Sequence, residues 1–297
     1  MEDNKISGSI ENYLKQIEAT ISVMKDDEEP DIDEIDSAEK AVTELGDNAI
    51  PLLKTILNQH RKTIRGYYAA YYLAIVGGQE AKQILQAEYE ATKDPAIKSA
   101  LVLCMASTGT EEDVDFLIRT LLSDTFDKDW ERVGDPETAA LSLGVLRSKI
   151  SLNALEKKST NSEDQIAANT AREVIRWITS PDKVLNEEGL TSYEDQIVLA
   201  ILKCGVPGIH RNNVFFEREK NRVWHFSNGV WSFKHAKDSP RDVPELSFEV
   251  YITQNGLNSL TSVSLHFGRL DATGYTYVLR KESGGWKVRG IKPTWIA

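Results

Sequence analysis

Four tyrosines, Tyr67, Tyr68, Tyr71 and Tyr72, fall within one apolar stretch and form two pairs four residues apart. On a helix, pairs at that spacing share a face, so they could show an aromatic patch to a partner or fill a seam between helices. A second aromatic load lies near the C-terminus, with Trp224, Trp231, Trp286 and Trp295 beside Tyr251, Tyr275 and Tyr277. There, Val263, Leu265 and Phe267 alternate with Ser262, Ser264 and His266. Such alternation makes one face core and leaves the other wet or lining a pocket. The candidate binding residues are therefore Tyr67, Tyr68, Tyr71, Tyr72, Trp231, His266 and Tyr275.

Other chemistry finds little support. His225, His235 and His266 match no zinc spacing, and neither cysteine is near them. Nothing local sets His266 beside Glu249 or Asp271 as a base with its acid. Asp26–Asp36 holds eight acids in eleven residues but lacks the ligand and glycine spacing of a calcium loop. It reads as a solvated acidic linker. Cys104 and Cys204 are the only cysteines, both in helix-like segments, which suits a reducing compartment without disulfides. No catalytic residue, metal or cofactor is expected, and the chain reads as a non-enzyme.

These residues need elements to position them. Ile64–Gly78 is predicted as a long helix closed by a glycine stop, and similar helix–glycine–helix units surround it. The breaks at Gly46, Gly77 and Gly109 are 31 and 32 residues apart, and a fourth falls near Arg147. Tandem units of this length bury one another's apolar faces as a solenoid. An amphipathic helix over Ile6–Met24 would cap its open end. Asp94-Pro95 and Asp135-Pro136 start helices, since proline fits the first turn and aspartate caps free amides. After Thr179-Ser180-Pro181 and one helix, Tyr193–Cys204, the period changes to two. Seven strands are expected, over Val214–Arg218, Arg222–Ser227, Val230–Lys234, Leu246–Thr253, Leu260–Arg269, Tyr275–Glu282 and Trp286–Ile296, the last of them as an antiparallel meander.

With Ala69-Ala70, Leu73 and Gly77, and Ala139-Ala140 with Leu143, the repeats resemble the HEAT-like repeats of the phycobilin lyase group and of bacterial scaffold proteins. The resemblance covers roughly residues 37–178 and implies an α-solenoid. HEAT-like di-iron hydroxylases use His-Glu pairs, and none of the five histidines here precedes a glutamate. The end of the chain, GYTYVLRKESGGWKVRGIKPTWI, is similar to the last strands of the nuclear transport factor 2-like cone. That resemblance implies a curved sheet able to hold a small ligand. The expected fold class is α+β: a capping helix and linker over 1–36, repeats over 37–180, a linker over 181–192 and a helix-plus-sheet domain over 193–297.

Charge narrows the partners. Residues 1–180 carry a net −13 and residues 181–297 a net +2. The acidic half is a poor match for nucleic acid and suits a protein with a basic patch. Arg218, Lys220, Arg222, Arg280, Lys281, Lys287 and Arg289 could bind an anionic group, or dock against the acidic half of the same chain. The longest apolar run, Ala69–Val76, cannot cross a bilayer, and no secretory signal opens the sequence, so a cytoplasmic protein is expected. The favoured function is a non-catalytic scaffold or adaptor that binds protein. The alternative is a small-molecule-binding or enzymatic sheet domain with the solenoid as a regulatory arm.

Overall fold

A computed structural model of the chain describes residues 2–26, 30–123, 135–161, 164–179, 192–207, 214–219, 222–227, 230–235, 245–266 and 272–296. For residues 2–9, 135, 161, 214–235, 245, 266, 272, 295 and 296 within these, the backbone alone is described. The helices come first: α1 (Glu2–Val23), α2 (Ile32–Leu45), α3 (Ile50–Gln59), α4 (Ile64–Val76), α5 (Gly78–Thr92), α6 (Pro95–Thr108), α7 (Glu111–Leu121), α8 (Asp135–Val145), α9 (Leu152–Asn161), α10 (Gln165–Thr179) and α11 (Tyr193–Cys204). The strands follow: β1 (Val214–Glu219), β2 (Arg222–Ser227), β3 (Val230–His235), β4 (Glu245–Ile252), β5 (Asn258–His266), β6 (Ala272–Glu282) and β7 (Gly285–Ile296). This is the expected α+β layout, helical repeats followed by one helix and a sheet.

The repeats form because each helix has its own start and stop. Asp94 accepts a 2.9 Å hydrogen bond from the Ala96 amide with Pro95 in the first turn, and Thr110 and Asp113 make a reciprocal capping box. Gly46, Gly77 and Gly109 follow α2, α4 and α6 with φ of +52°, +67° and +62°. That backbone is cheap only for glycine. The fourth stop is Arg147 itself, at φ +48°, whose guanidinium donates to the Lys203 carbonyl at 2.8 Å.

Successive pairs stack into two rows. Helices α2, α4, α6, α8 and α10 touch in order, and α3, α5, α7 and α9 each pack against the next helix of that row. Alanines such as Ala69, Ala70, Ala139 and Ala140 are fully buried where helices approach closely, and Leu73, Leu101, Leu117 and Leu143 fill the seams. Helix α1 closes the open end with Ile17, Ile21 and Met24. Between α5 and α7, Lys82 and Asp113 form a buried ion pair at 2.9 Å. Burial pushes the Asp113 carboxyl up, but Lys82, the Thr110 amide and the Thr108 hydroxyl outweigh it and hold it below the usual range.

The acidic stretch expected as a linker is partly helix. Asp31 accepts from the Asp33 amide at 2.9 Å and starts α2 at Ile32, with Asp33 and Glu34 in the first turn. Carboxylates near a helix N-terminus are favoured by its dipole, so the acid run promotes a helix where a linker is expected.

The sheet runs in the order β3-β2-β1-β4-β5-β6-β7. Strands β4 to β7 form the expected antiparallel meander, and β1 meets β4 in a short parallel pairing at Phe215 and Glu245. Leu246, Val263, Leu265, Tyr277, Leu279 and Ile291 are buried on one face, while Ser247, Glu249 and Ser262 are exposed on the other. Strand β7 is an edge, and α6, α8 and α11 lie against it. Covering an edge this way removes a template for aggregation. Leu103 packs under Gly290, and one apolar core runs from Ile17 through the repeats to Ile291.

Polar contacts fasten the two layers. Glu44 accepts from the Tyr251 hydroxyl at 2.7 Å and from the Gln254 amide at 2.9 Å. The Tyr277 hydroxyl donates to the Gly205 carbonyl at 2.8 Å. The basic residues expected to face the acidic half mostly do something else. Lys287 and Arg289 pair with Glu282 inside the sheet, and Lys281 lies over the Tyr193 ring, although Arg289 also donates to the Ser107 carbonyl. Lys220 and the side chains of Arg218 and Arg222 lie outside the described residues.

Gly205 sits at φ +133° with the Trp177 ring against its Cα, where a Cβ would lie 2.4 Å from Cε2. We expect Gly205→Ala to lower stability by about 1–3 kcal/mol through overpacking and backbone strain. A urea melt followed by helical circular dichroism reads this as a reduced midpoint.

Candidate functional site

Helix α4 delivers its tyrosines to two environments. Thr63 caps it by accepting from the Gly66 amide, and the first turns then set Tyr67, Tyr68 and Tyr71 toward the sheet side. Tyr72 is fully buried instead, and its hydroxyl has no hydrogen-bond partner among the described residues. Leaving such a group unpaired costs about 1–3 kcal/mol, so Tyr72 is a packing residue. The rings of Tyr68, Tyr71 and Tyr72 form one cluster, with centroids 5.6–6.5 Å apart.

Tyr67, Tyr68 and Tyr71 line a cavity of about 330 Å³ between α4, α6, α8 and β7. Ala96, Ala100 and Leu103 supply its α6 wall, Glu137 and Thr138 its α8 wall, and Lys292 and Pro293 its β7 wall. The expected aromatic patch is therefore not an open surface, because the sheet roofs it. Lys292 reaches this position from a strand bearing two β-bulges, at Arg289 and Thr294, which bracket it. Bulges commonly re-aim side chains in this way.

The Lys292 ammonium lies 3.6 Å from the centre of the Tyr71 ring. Desolvation there lowers its pKa, against the pull of the nearby Glu39 carboxylate. Tyr71 donates to Glu39 at 2.8 Å. Burial raises both pKa values, and Lys292 and the Tyr71 hydrogen bond restrain the rise at Glu39. Across the cavity, burial pushes the Glu137 carboxyl up to about 7, with Asp164 adding to the rise and the Thr170 hydroxyl, donating at 3.3 Å, opposing it.

The remaining sequence candidates are placed elsewhere. Tyr275 stands on β6 just outside the cavity, its hydroxyl pKa raised by burial and then by the charges of Glu137 and Glu173. Trp231 lies on β3, at the sheet edge opposite β7, and His266 ends β5; the side chains of both are outside the described residues. Cys104 is buried, which pushes its thiol up to about 12 and leaves it inert. Glu39, Glu137 and Lys292 do not stand out in the sequence. One signal is there all the same: Lys292 interrupts the apolar sequence of an edge strand just before a proline, where a lysine is usually an edge guard.

A second cavity, about 420 Å³, opens between the α2–α3 junction, α4 and the β5–β6 end of the sheet. Its charged groups Glu44 and Arg289 already have partners, so it offers less unspent chemistry.

No protein-family model matches the chain, and no curated protein matches it. Among solved structures, human deoxyhypusine hydroxylase in complex with glycerol is similar at 16% identity and a TM-score of 0.34, over 45% of this chain and 44% of that one. The likeness spans less than half of either chain and carries no argument about this site.

Glu137 provides a direct check on the cavity. Its carboxyl, ordinarily near 4.5, stays protonated to about 7 in the folded chain. Between those pH values the unfolded chain has lost a proton that the folded chain keeps, so this group's contribution to stability falls as pH rises. We expect Glu137→Gln to remove about 1–3 kcal/mol of that decline, since each tenfold change in proton affinity is worth about 1.36 kcal/mol. Paired denaturation curves from pH 5 to pH 8 measure it.

Proposed function

We propose that the chain is a binding protein that takes a small organic molecule into the cavity between α4, α6, α8 and β7. The observation that carries this reading is the meeting, in one enclosed space, of three tyrosines with a lysine and a glutamate from separate elements. Ligand sites are typically apolar clefts of about 300–1,000 Å³ with a few convergent polar groups and shifted pKa values, and this cavity has each of these properties. The resemblance to the nuclear transport factor 2-like cone favours a ligand against a sheet as well, although here the helical repeats, of the kind seen in phycobilin lyases, supply the other wall. Ala96 lines the cavity from the first turn of α6 and is half-buried, so a large side chain there fills the space without breaking a seam. We expect small aromatic fragments to shift the amide resonances of α4, α6 and β7 in the wild type, and Ala96→Trp to abolish the shifts. Shifts that persist in the filled variant, or none with any fragment, refute the reading.

A second reading concerns a protein partner, and rests on what the sheet leaves uncovered. The outer helices α5 and α7 expose Glu80, Glu90, Glu111, Glu112 and Asp115. A repeat surface with that charge suits a basic patch on another protein, in a scaffold or adaptor role within the cytoplasm. Salt screens such contacts, with a Debye length of about 10 Å at 0.1 M and about 3 Å at 1 M. Partners retained on the immobilised chain in 50 mM salt are expected to elute in 0.5 M salt. Retention that does not depend on salt excludes this mode of binding.

A further inference from the structure

The cavity wall holds two opposite charges that do not neutralise each other. Lys292 and Glu137 both face the space, yet no ion pair joins them. Among the described residues, no acceptor hydrogen-bonds the Lys292 ammonium. Its company is the Tyr71 ring at 3.6 Å and the field of Glu39, whose near oxygen is already taken by the Tyr71 hydroxyl. Glu137 accepts one hydrogen bond, from Thr170, and meets no cation among the described residues. Partly desolvated charges without counterions are costly, and a ligand bearing both complementary charges would relieve the two costs at once. Between them lie the aromatic rings of Tyr67, Tyr68 and Tyr71 with Ala100 and Leu103, an apolar floor for an uncharged side chain.

We propose that the cavity binds a small zwitterion of the α-amino-acid class, its carboxylate against Lys292, its ammonium against Glu137 and its apolar or aromatic side chain among the tyrosines. This rests on the small-molecule reading of the cavity above. A carboxylic acid alone would leave Glu137 unmatched, and an amine alone would leave Lys292 unmatched. The groups facing Glu137 are Asp164, Thr170 and Glu173 from α10, Tyr275 from β6, Lys292 from β7 and the α4 tyrosines. The carboxylates among them favour a cation at this end of the cavity. Because Glu137 holds its proton to about 7, binding strengthens from pH 6 to pH 8.

Isothermal titration of the full chain with L-phenylalanine, L-leucine and L-methionine tests the proposal, with phenethylamine and 3-phenylpropionate as the two half-ligands. At least one amino acid is expected to bind tenfold or more tighter than either half-ligand, and about tenfold tighter at pH 8 than at pH 6. Glu137→Gln should erase the pH dependence, and Lys292→Met should bring the amino acid down to the affinity of the amine. Circular dichroism establishes that each variant is folded, and Lys292→Arg, which keeps the charge, should retain most of the affinity. If fragments bind the cavity but no amino acid does, or if a half-ligand binds as tightly as the zwitterion, the proposal is wrong and the small-molecule reading survives. If no fragment binds at all, both fall together.

Discussion

A lysine at the edge of a sheet sits among tyrosines and a buried glutamate of a helical repeat, and much else follows from that contact. An ammonium taken from water needs compensation close by. Here the face of Tyr71 and the field of Glu39 provide it, and Tyr71 is in turn fixed by its hydrogen bond to Glu39. The arrangement works only with β7 lying along the inner helix row at one register. A slip by one residue would carry Lys292 to the other face of the strand and set Ile291 or Pro293 against the tyrosines.

Each layer also lacks something that the other supplies. A stack of helix pairs leaves the inner row with an apolar flank, and an open sheet leaves an edge strand with unpaired amides and carbonyls. Packing β7 against α6, α8 and α11 meets both needs, and the polar clasps at Glu44 and Gly205 secure the two sides. The seam is not filled completely. Small residues on α6, Ala96 and Ala100, stand opposite the tyrosines, and the space left between them is the cavity.

Local signals made the repeats legible. Glycine after a helix, Asp-Pro before one and alanine at close approaches each have a cause that operates within a few residues, and α2 to α9 stand where those signals fall. The seven strands likewise follow from period-two alternation, since the pleat puts neighbours on opposite faces whatever lies beyond. The start of α2 inside the acid run was hidden because a run of charge signals solvation, although the same carboxylates also cap a helix.

The site was legible only in half. Tyr67, Tyr68 and Tyr71 stood out because they are large, clustered and spaced for one helix face, which a sequence displays directly. Glu137 and Lys292 did not, because each is an ordinary charged residue until a distant element strips its water away. What the sequence alone determined was the order and type of the elements and the aromatic stripe of α4, all products of forces acting over a few residues. Only the tertiary structure decided that the stripe lies beneath a sheet edge and shares an enclosed space with two charges from elsewhere, because desolvation and electrostatic pairing depend on what surrounds a side chain in space.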